Sequence, residues 1–489
     1  MIWFKIIVEL FSILIIIYSV VLISFNICLG LFSLRETKQY LRKNTPADYH
    51  LLASSPYAPS LSIIAPAYNE AFSIIQNVRS LLSIYYHNLE IIVVNDGSVD
   101  NSLKMLIEVY QLNKVNELIP GTITTSQITG IYKSSNPVYK KLIVVDKVNG
   151  GKADALNAGI NVSKNDYVIS IDVDCVLEED ALLKIIKPII NETHKTVIAS
   201  GGVVRIINSS IVEDGKLIKV NLPSNILAKV QVLEYMRAFL LGRMAWSRLN
   251  GLLLISGAFG AFKKDILVKC GGYNPNTIGE DMELVVRMRR YMQDNNLPYK
   301  VTYIPDPLCW TEAPATVKML VRQRNRWMRG ALQTLSIHKV LFFNRRYGFM
   351  GMISYPYWLV FEVGGPMIEC VGIVVFLLGV IFGVVKWKVF LTIMMFLLTI
   401  GLLNSFFGIC MEVISYNQYK KRSDIFHLVL IAFIEPIVFH PIIIYSNIVG
   451  IIDFLRGNND WGEMKRKGFK NNSSINTANL LYGLENRKQ

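Results

Sequence analysis

Two aspartates separated by one residue, Asp172 and Asp174, come directly after the apolar run 167–171. Alternate residues of a strand share one face, so both carboxylates are predicted to leave the end of this run on the same side. Adjacent carboxylates repel each other unless a cation joins them, and Mg²⁺ is usually held by one or two carboxylates together with substrate phosphates. A lone Asp-x-Asp motif is common, but at the end of an apolar strand it favours a divalent-cation site.

Polar residues also follow two earlier apolar runs, 61–65 and 90–95. Asn69 and Glu70 come just after the first run, and Asp96 follows the second. If both runs are parallel strands, these side chains line one crevice, because ligands bind beyond the carboxyl ends of such strands. Asp96 could then accept a hydrogen bond from the imide N–H of a uracil. Asn-Asp-Gly-Ser is equally good turn chemistry, so an ordinary loop is the alternative at this motif.

The segment 149–152 places two glycines and Lys152 before the predicted helix 153–160. Backbone N–H groups and the positive end of a helix dipole favour an anion, so the segment is predicted to bind a diphosphate. The spacing differs from that of a Walker loop. A glycine turn beside a solvated lysine is the simpler alternative.

Glu280 and Asp281 stand at the start of the predicted helix 282–292. Acidic residues in a first helical turn stabilise the helix dipole, which is the simpler explanation of the pair. In the functional interpretation, Asp281 is a general base that takes a proton from an acceptor hydroxyl.

Gln323, Arg326 and Trp327 are spaced i, i+3 and i+4, so on a helix they share one face. Arg326 could clamp a leaving diphosphate, and Trp327 could stack on an acceptor sugar. The remaining arginines of this stretch would also fit contact with lipid head groups: Arg322, Arg324 and Arg329.

The motifs lie in a segment where short β-branched runs alternate with helical stretches. This βαβ rhythm predicts an α/β fold with a mostly parallel, doubly wound sheet. The catalytic domain is predicted to cover 61–315, after a proline-containing linker at 44–60. A polar insertion at 111–140 interrupts the rhythm, and we predict that it forms a surface loop.

The composition predicts a membrane protein, because 52% of the residues are hydrophobic and only 18% are charged. An apolar run at 11–34 is followed by basic residues up to Lys43. Segment 1–43 is therefore predicted to be a transmembrane helix whose C-terminal end faces the cytoplasm. After the catalytic domain, segment 316–346 is predicted to be a basic interfacial helix.

Segment 347–455 contains three further apolar runs, at 355–385, 389–411 and 426–455. Glu435, Pro436 and Pro441 interrupt the last run, so we predict two full crossings and a third element that is broken, interfacial or re-entrant.

The formal net charge is +14. Basic residues concentrate beside the predicted membrane segments and in the tail 456–489, so we predict a multi-pass protein of the cell membrane with a cytoplasmic catalytic domain and no nucleic-acid partner. None of the six cysteines forms a Cys-x-x-Cys pair and the six histidines form no cluster. Reduced thiols and no zinc site are expected.

Taken in chain order, the motifs resemble those of the processive family 2 glycosyltransferases, which include hyaluronan, chitin, cellulose and poly-N-acetylglucosamine synthases. The motif series covers about 60–330, and the membrane layout extends the resemblance to nearly the whole chain. The resemblance implies a GT-A fold, a Rossmann-like cytoplasmic domain flanked by transmembrane and interfacial helices. It also implies inverting transfer from a UDP-sugar, with Mg²⁺ or Mn²⁺, onto a growing β-linked polysaccharide; an N-acetylglucosamine-type sugar is one candidate.

Each site residue takes its role from its place in the motif series. The resemblance implies donor binding by Asn69, Glu70, Asp96, Lys152, Asp172, Arg326 and Trp461. It implies metal binding by Asp174 and Asp172, and catalysis by Asp281, as the base, with Glu280. It implies acceptor binding by Ser256, Gly257, Gln323 and Trp327.

The chain departs from the family pattern at Gly279, where many members have threonine or another residue; Asp281 stays in place. Trp461 and Gly462 resemble a C-terminal loop that closes over the donor. The short segment after Arg456 leaves no room for a regulatory barrel, so built-in cyclic-dinucleotide control is not expected.

Two other functions fit the same motifs. One is a single sugar transfer to a lipid carrier, and the other is a non-catalytic membrane receptor or assembly subunit that keeps the nucleotide-binding fold. The partners expected for the polymerase are the UDP-sugar, the polysaccharide and the lipid bilayer. Accessory export or regulatory subunits would be a further class of partner.

Overall fold

The structure is a computed structural model that describes residues 2–44, 49, 52, 55, 58–119, 121–213 and 215–458. Its strands are β1 (Leu61–Ala67), β2 (Leu89–Asp96), β3 (Leu112–Val115), β4 (Ile128–Ser134), β5 (Leu142–Lys147), β6 (Tyr167–Ile171), β7 (Val176–Leu177), β8 (Thr196–Ile206), β9 (Ile211–Glu213), β10 (Lys216–Lys219), β11 (Phe259–Lys263) and β12 (Tyr299–Thr311).

The α-helices before the last membrane segments are α1 (Ile2–Lys43), α2 (Ile74–Leu82), α3 (Ser102–Tyr110), α4 (Lys152–Val162), α5 (Ala181–Asn191), α6 (Ile226–Met236), α7 (Met244–Arg248), α8 (Lys264–Lys269), α9 (Glu280–Asp294) and α10 (Val317–Ile337). They are followed by α11 (Tyr355–Tyr357), α12 (Gly365–Ile381), α13 (Trp387–Ser415), α14 (Arg422–Ile434) and α15 (His440–Leu455). Segments Arg237–Arg243, Met350–Ser354, Trp358–Val363 and Glu435–Phe439 are π-helical.

One sheet of ten strands forms the centre of the catalytic domain, in the order β3-β4-β5-β2-β1-β6-β11-β8-β12-β7. Strands β5, β2, β1 and β6 are parallel, and β8 is parallel to β12. The apolar side chains of the parallel strands are almost completely buried, as expected where both faces of a sheet are covered. The α/β fold with its mostly parallel sheet, predicted from the sequence, is confirmed.

The insertion 111–140 is not the surface loop that we predicted. Strand β3 pairs antiparallel with β4, and β4 pairs antiparallel with β5, so the insertion extends the sheet at one edge. An edge strand carries polar residues on its open side, which made this segment look like a loop. The rest of the insertion folds over α4, where the Asn161 side chain donates to the Ile123 carbonyl oxygen at 2.7 Å.

Among the described residues, three helices are long and apolar enough to cross a membrane: Val8–Lys43, Met394–Ser415 and Arg422–Leu455. The pair Met350–Val363 and Gly365–Ile381, bent by 41°, gives a fourth candidate if it forms one span. The chain is therefore a membrane protein, as its composition predicted.

The last apolar run is not broken at its prolines. The segments α14, Glu435–Phe439 and α15 follow one another directly, and Pro436 lies in the π-helical turn. In a transmembrane helix, a local π-helical adjustment can satisfy the backbone groups that a proline leaves without their usual partners. The sharp bend lies instead at Gly364, in the first of the three runs.

The last run contacts both the catalytic domain and α10. Helix α14 packs with α6 and α10 in one apolar cluster. Arg237 forms an ion pair with Glu435 in the middle of the run, and the Asn325 side chain donates to Asp453 near its end at 2.7 Å. These contacts join the run to the domain and to α10; the number of crossings stays a prediction.

Candidate active site

The two predicted metal ligands lie in a turn beyond β6. The Cys175 N–H donates to the Asp172 carbonyl oxygen at 2.9 Å, and this bond closes the turn. The turn, and not alternation along a strand, brings Asp172 and Asp174 together. One carboxylate oxygen of each aspartate and the Cys175 sulfur lie within 4.8 Å of one another. The two carboxylates fit a divalent cation, whereas the Cys175 thiol, which our sequence analysis did not consider, is hydrogen-bonded with Cys309.

Lys152 lies beside these acids. Its Nζ is 2.6 Å from Asp172 Oδ1 and 3.5 Å from Glu280 Oε1, and it donates to the Gly257 carbonyl oxygen at 3.4 Å. Burial opposes the charge on Lys152, but the carboxylates of Asp172 and Glu280 outweigh burial and raise the pKa of Lys152 above its ordinary value. The side chain therefore stays cationic at the point where the metal acids meet the start of α9.

We predicted an open anion site at the start of α4, but the N–H groups there do not point to one. Gly150 and Gly151 donate their backbone N–H groups to the Asp96 carboxylate at 3.0 and 2.8 Å. Lys147 pairs with the same carboxylate at 2.6 Å. The Asp96 carboxylate is therefore the anion that accepts the hydrogen bonds at this helix start. The contact of Asp96 with a uracil stays a prediction.

Asn69 and Glu70 shape the loop after β1. Asn69 has a φ of +56°, and its Oδ1 accepts a hydrogen bond from the Val99 N–H at 2.9 Å. The Glu70 carboxylate accepts a hydrogen bond from the Ser73 hydroxyl at 2.7 Å. These bonds fasten the loops that follow β1 and β2. Beside them Tyr68 is 52% exposed, and an open aromatic ring at a strand end provides a surface on which a base could stack.

Asp281 is held in one orientation. Its Oδ2 accepts a hydrogen bond from the Gly257 N–H at 2.8 Å, and its Oδ1 accepts one from the Met282 N–H at 2.8 Å. Gly257 and Ser256 belong to the loop before β11, so the predicted acceptor loop and the predicted base are in direct contact.

Glu280 is almost fully buried next to Asp281. Burial is the main cause that raises its pKa to about 7; the Lys152 ammonium lowers the pKa, and the Asp281 carboxylate raises it further. Near neutral pH Glu280 therefore exchanges between its neutral and ionised forms.

Arg326 on α10 completes the cluster. Burial lowers the pKa of Arg326, while the negative charges of Glu280, Asp172 and Asp281 act in the opposite direction. The guanidinium therefore lies within electrostatic range of the acids at the start of α9 and in the turn after β6. The structure thus brings together residues from widely separated motifs, as the sequence analysis expected.

Gln323 and Trp327 lie on the same helix as Arg326. Gln323 is buried, whereas Trp327 is 44% exposed and carries the Arg324 guanidinium over its ring at 4.1 Å. Their contact with an acceptor stays a prediction. Trp461, the remaining predicted donor residue, lies outside the described residues.

The arginines that suggested lipid contact have partners within the protein. Arg324 pairs with Glu234 at 2.7 Å, and Arg329 donates to the Asn458 carbonyl oxygen at 2.8 Å. Both side chains are buried. Arg324 and Arg329 therefore hold α10 within the protein instead of contacting lipid head groups.

An open cleft of about 560 Å³ lies between the insertion and α4. Its lining includes Thr124, Ser126, Asp154 and Tyr273. None of the acids that surround Lys152 and Arg326 lines this cleft. We therefore place the site at the carboxyl ends of the central strands, where the charged groups converge.

The glycosyl transferase family 2 model matches residues 62–210, and the model of glycosyl transferase family group 2 matches residues 167–403. This chain belongs to glycosyl transferase family 2. The resemblance noted in the motifs is confirmed at the level of the family, and the GT-A fold implied by it agrees with the sheet of this glycosyltransferase.

Two similar proteins are poly-beta-1,6-N-acetyl-D-glucosamine synthases. The glycosyltransferase is 29% identical over 295 residues to the one from Staphylococcus epidermidis, covering 60% of each chain. It is 30% identical over 278 residues to that of Staphylococcus aureus (strain COL), covering 56% of this chain and 55% of the relative. The matches thus span at most 60% of the length of these relatives. The mannosyltransferase PcManGT from Pyrobaculum calidifontis, solved with GDP-Man and Mn²⁺, aligns with a TM-score of 0.49 at 16% identity, covering 84% of this chain and 99% of that one.

Proposed function

We propose that this family 2 glycosyltransferase is a membrane-embedded, inverting polymerase that adds sugar from a UDP-sugar to an exported polysaccharide. The similar synthases suggest a β-linked, N-acetylglucosamine-type polymer. The observation that carries the proposal is the convergence of Lys152, Arg326 and the acids of the turn after β6 with the start of α9. A mixed cluster of fixed cations and carboxylates is what transfer from a nucleotide diphosphate requires.

The donor diphosphate would lie between the turn after β6 and α10. Asp172 and Asp174 would hold Mg²⁺ or Mn²⁺, which neutralises phosphate charge when bound. Arg326 and Lys152 would stabilise the negative charge that grows on the leaving UDP. Tyr68 would stack on the uracil, with Asp96 and Asn69 fixing the loops around it.

Asp281 would act as the general base. The Gly257 N–H occupies one carboxylate oxygen at 2.8 Å. This bond sets the angle at which the carboxylate meets the acceptor hydroxyl. A single attack from the face opposite to UDP inverts the anomeric carbon, so a carboxylate nucleophile is not needed. Glu280, with a pKa near 7, would tune the charge around Lys152 and Asp281.

A polar pair on the membrane helices supports export of the product. His440 lies 2.7 Å from Glu369. The side chains of His440 and Glu369 are 50% and 37% exposed, although both residues lie on apolar helices. Charged groups at such positions usually face a bundle interior or a polar path. We propose that the polymer passes this face, with the catalytic domain in the cytoplasm.

The test is incubation of inverted membrane vesicles with a panel of labelled UDP-sugars, followed by linkage analysis of the product. In inverted vesicles the cytoplasmic face is outside. We expect one UDP-sugar to give long chains that are protected from an added polysaccharide hydrolase until detergent opens the vesicles.

Other outcomes distinguish the alternatives. A single labelled sugar in the lipid extract would indicate transfer to a lipid carrier. UDP release from none of the donors would leave the non-catalytic subunit as the better explanation. Long product that the hydrolase degrades without detergent would contradict export while leaving polymerisation intact.

A further inference from the structure

The Trp327 ring lies against a buried guanidinium. The central carbon of the Arg324 guanidinium is 4.1 Å from the centre of the Trp327 ring, and both residues belong to α10. Trp327 is 44% exposed, whereas the Arg324 side chain is only 4% exposed. The guanidinium therefore covers the inner side of the ring, and the rest of the ring surface is open.

The Arg324 guanidinium is paired with the carboxylate of Glu234. The Arg324 Nη2 donates to Glu234 Oε2 at 2.7 Å, and Glu234 lies near the end of α6. A buried cation that loses its counter-charge is strongly destabilised. Without Glu234, the guanidinium would turn toward water, and the Trp327 ring would lose the group that holds it from below.

Helix α6 keeps Glu234 in a fixed position. Leu233, the residue before it, is fully buried in an apolar cluster that also contains Leu320 of α10. The buried Gln231 side chain, one turn earlier, donates to the Pro314 carbonyl oxygen at 2.8 Å. The carboxylate that pairs with Arg324 is therefore carried by a helix that is packed in the same cluster as α10.

We propose that Glu234 is a positioning residue for the acceptor: through Arg324 it fixes the plane of the Trp327 ring, on which a sugar of the growing chain stacks. The inference rests on the proposed function, because it presupposes that Trp327 binds the acceptor. It goes further by naming a residue outside the stretch 323–327, 90 residues from Arg324 in the chain, on which acceptor binding depends.

A fixed ring should bind the sugar more tightly than a mobile one. A side chain that is ordered only when the ligand binds loses conformational entropy at that moment, and this loss weakens binding. The Trp327 ring, held by the Arg324 guanidinium, has lost that freedom in the folded chain before the sugar arrives.

The competing explanation is that the pair Glu234–Arg324 only anchors α10 to the protein. Anchoring and positioning differ in what a substitution changes. Loss of an anchor would shift α10 as a whole, including Arg326, and so would weaken the donor and the acceptor together. Loss of positioning would raise the KM for the acceptor and leave the KM for the donor unchanged.

The experiment uses the purified full chain in lipid nanodiscs. The donor is UDP-N-acetylglucosamine and the acceptor is a β-1,6-linked N-acetylglucosamine pentasaccharide, chosen from the products of the similar synthases. In Glu234→Ala the acceptor KM should rise about two- to thirtyfold, the range that corresponds to loss of a cation–ring contact. Glu234→Gln keeps an oxygen that can accept from Arg324, so its acceptor KM should rise less. The double variant Glu234→Ala/Arg324→Ala should show no further rise over Arg324→Ala, because Glu234 acts through Arg324.

Glu36→Ala is the matched control. Glu36 pairs with Arg248 at 2.8 Å, and its side chain is 29% exposed, as is that of Glu234. The substitution removes an equally exposed carboxylate from a different ion pair between two helices, α1 and α7. The acceptor KM of Glu36→Ala should equal that of the wild-type chain.

The inference is overturned if the acceptor KM is unchanged in Glu234→Ala, if it rises equally in Glu36→Ala, or if the donor KM rises with it. Calorimetric titration with the pentasaccharide separates this result from the proposed function. If the wild-type chain makes polymer but Glu234→Ala binds the pentasaccharide as tightly as the wild type, the positioning role fails while the proposed function stands. If binding weakens in Glu234→Ala but the wild-type chain consumes no UDP-sugar, the reverse holds.

Discussion

A Cβ atom added to Gly330 would lie 2.7 Å from the Cα atom of Gly279, so the start of α9 and the middle of α10 are in direct backbone contact. Gly279 precedes Glu280 and Asp281, and Gly330 lies one turn after Arg326. The glycine pair therefore sets the distance between Asp281, the proposed base, and Arg326, the side chain proposed to face the leaving group. It also explains why this chain has glycine at position 279, where we noted a departure from the family pattern.

Gly330→Ala should damage both stability and activity. The added methyl group meets backbone atoms, which cannot rotate away, so α10 must shift from α9. Overpacking of this kind costs about 1–3 kcal/mol. We expect a lower Tm and strongly reduced UDP release from the donor. Gly121→Ala is the control, because a Cβ there meets nothing within 4 Å; equal effects of the two substitutions would refute the contact as the cause.

Asp281→Asn should abolish polymer formation while UDP binding survives. The amide oxygen of asparagine can still accept the Gly257 N–H, so the loop keeps its position, but the side chain no longer takes a proton. Product formation and calorimetric UDP binding measure the two effects separately. A fully active Asp281→Asn variant would remove Asp281 from the role of base.

Asp174→Ala should abolish cation-dependent turnover, and a chelator should have the same effect on the wild-type chain. The substitution removes one of the two proposed carboxylate ligands. Glu179→Ala is a matched control, since it also removes a carboxylate but one that is 65% exposed and paired with Lys216. Turnover that survives both Asp174→Ala and chelation would argue against a cation in the reaction.

The stability of the ligand-free chain should fall as the pH rises, and Glu280 should cause part of the fall. Its pKa is about 7 when folded, against an ordinary value of 4.5. The folded chain therefore binds the extra proton, and the stabilisation, fully present below the ordinary pKa, is lost as the pH rises through the folded pKa. The whole change corresponds to about 3 kcal/mol.

Thermal unfolding of the wild type and of Glu280→Gln, from about pH 5 to about pH 8, checks this expectation. The wild-type Tm should drop relative to that of the variant over this range. Parallel curves would mean that Glu280 does not titrate there in the folded chain.

Much of the architecture was predictable because its signals are local. The apolar runs that precede Asn69, Asp96 and Asp172 predicted strands followed by polar residues. Parallel strands place the residues at their carboxyl ends along one edge of the sheet. The spacing of Gln323, Arg326 and Trp327 predicted one helix face. By contrast, strands β3 and β4 at one end of the sheet were missed, because the edge strand β3 and its neighbour have a polar composition like that of a loop.

The sequence by itself determined the candidate chemistry, because residue types and short spacings decide which groups can bind a cation, hold a diphosphate or take a proton. Only the tertiary structure decided how these groups are used. The Asp96 carboxylate accepts hydrogen bonds from the N–H groups of Gly150 and Gly151, and the turn after β6 brings Asp172 and Asp174 together. The reason is that hydrogen bonding and ligand contact depend on distances of a few ångströms between segments far apart in the chain, and local patterns carry no information about such distances.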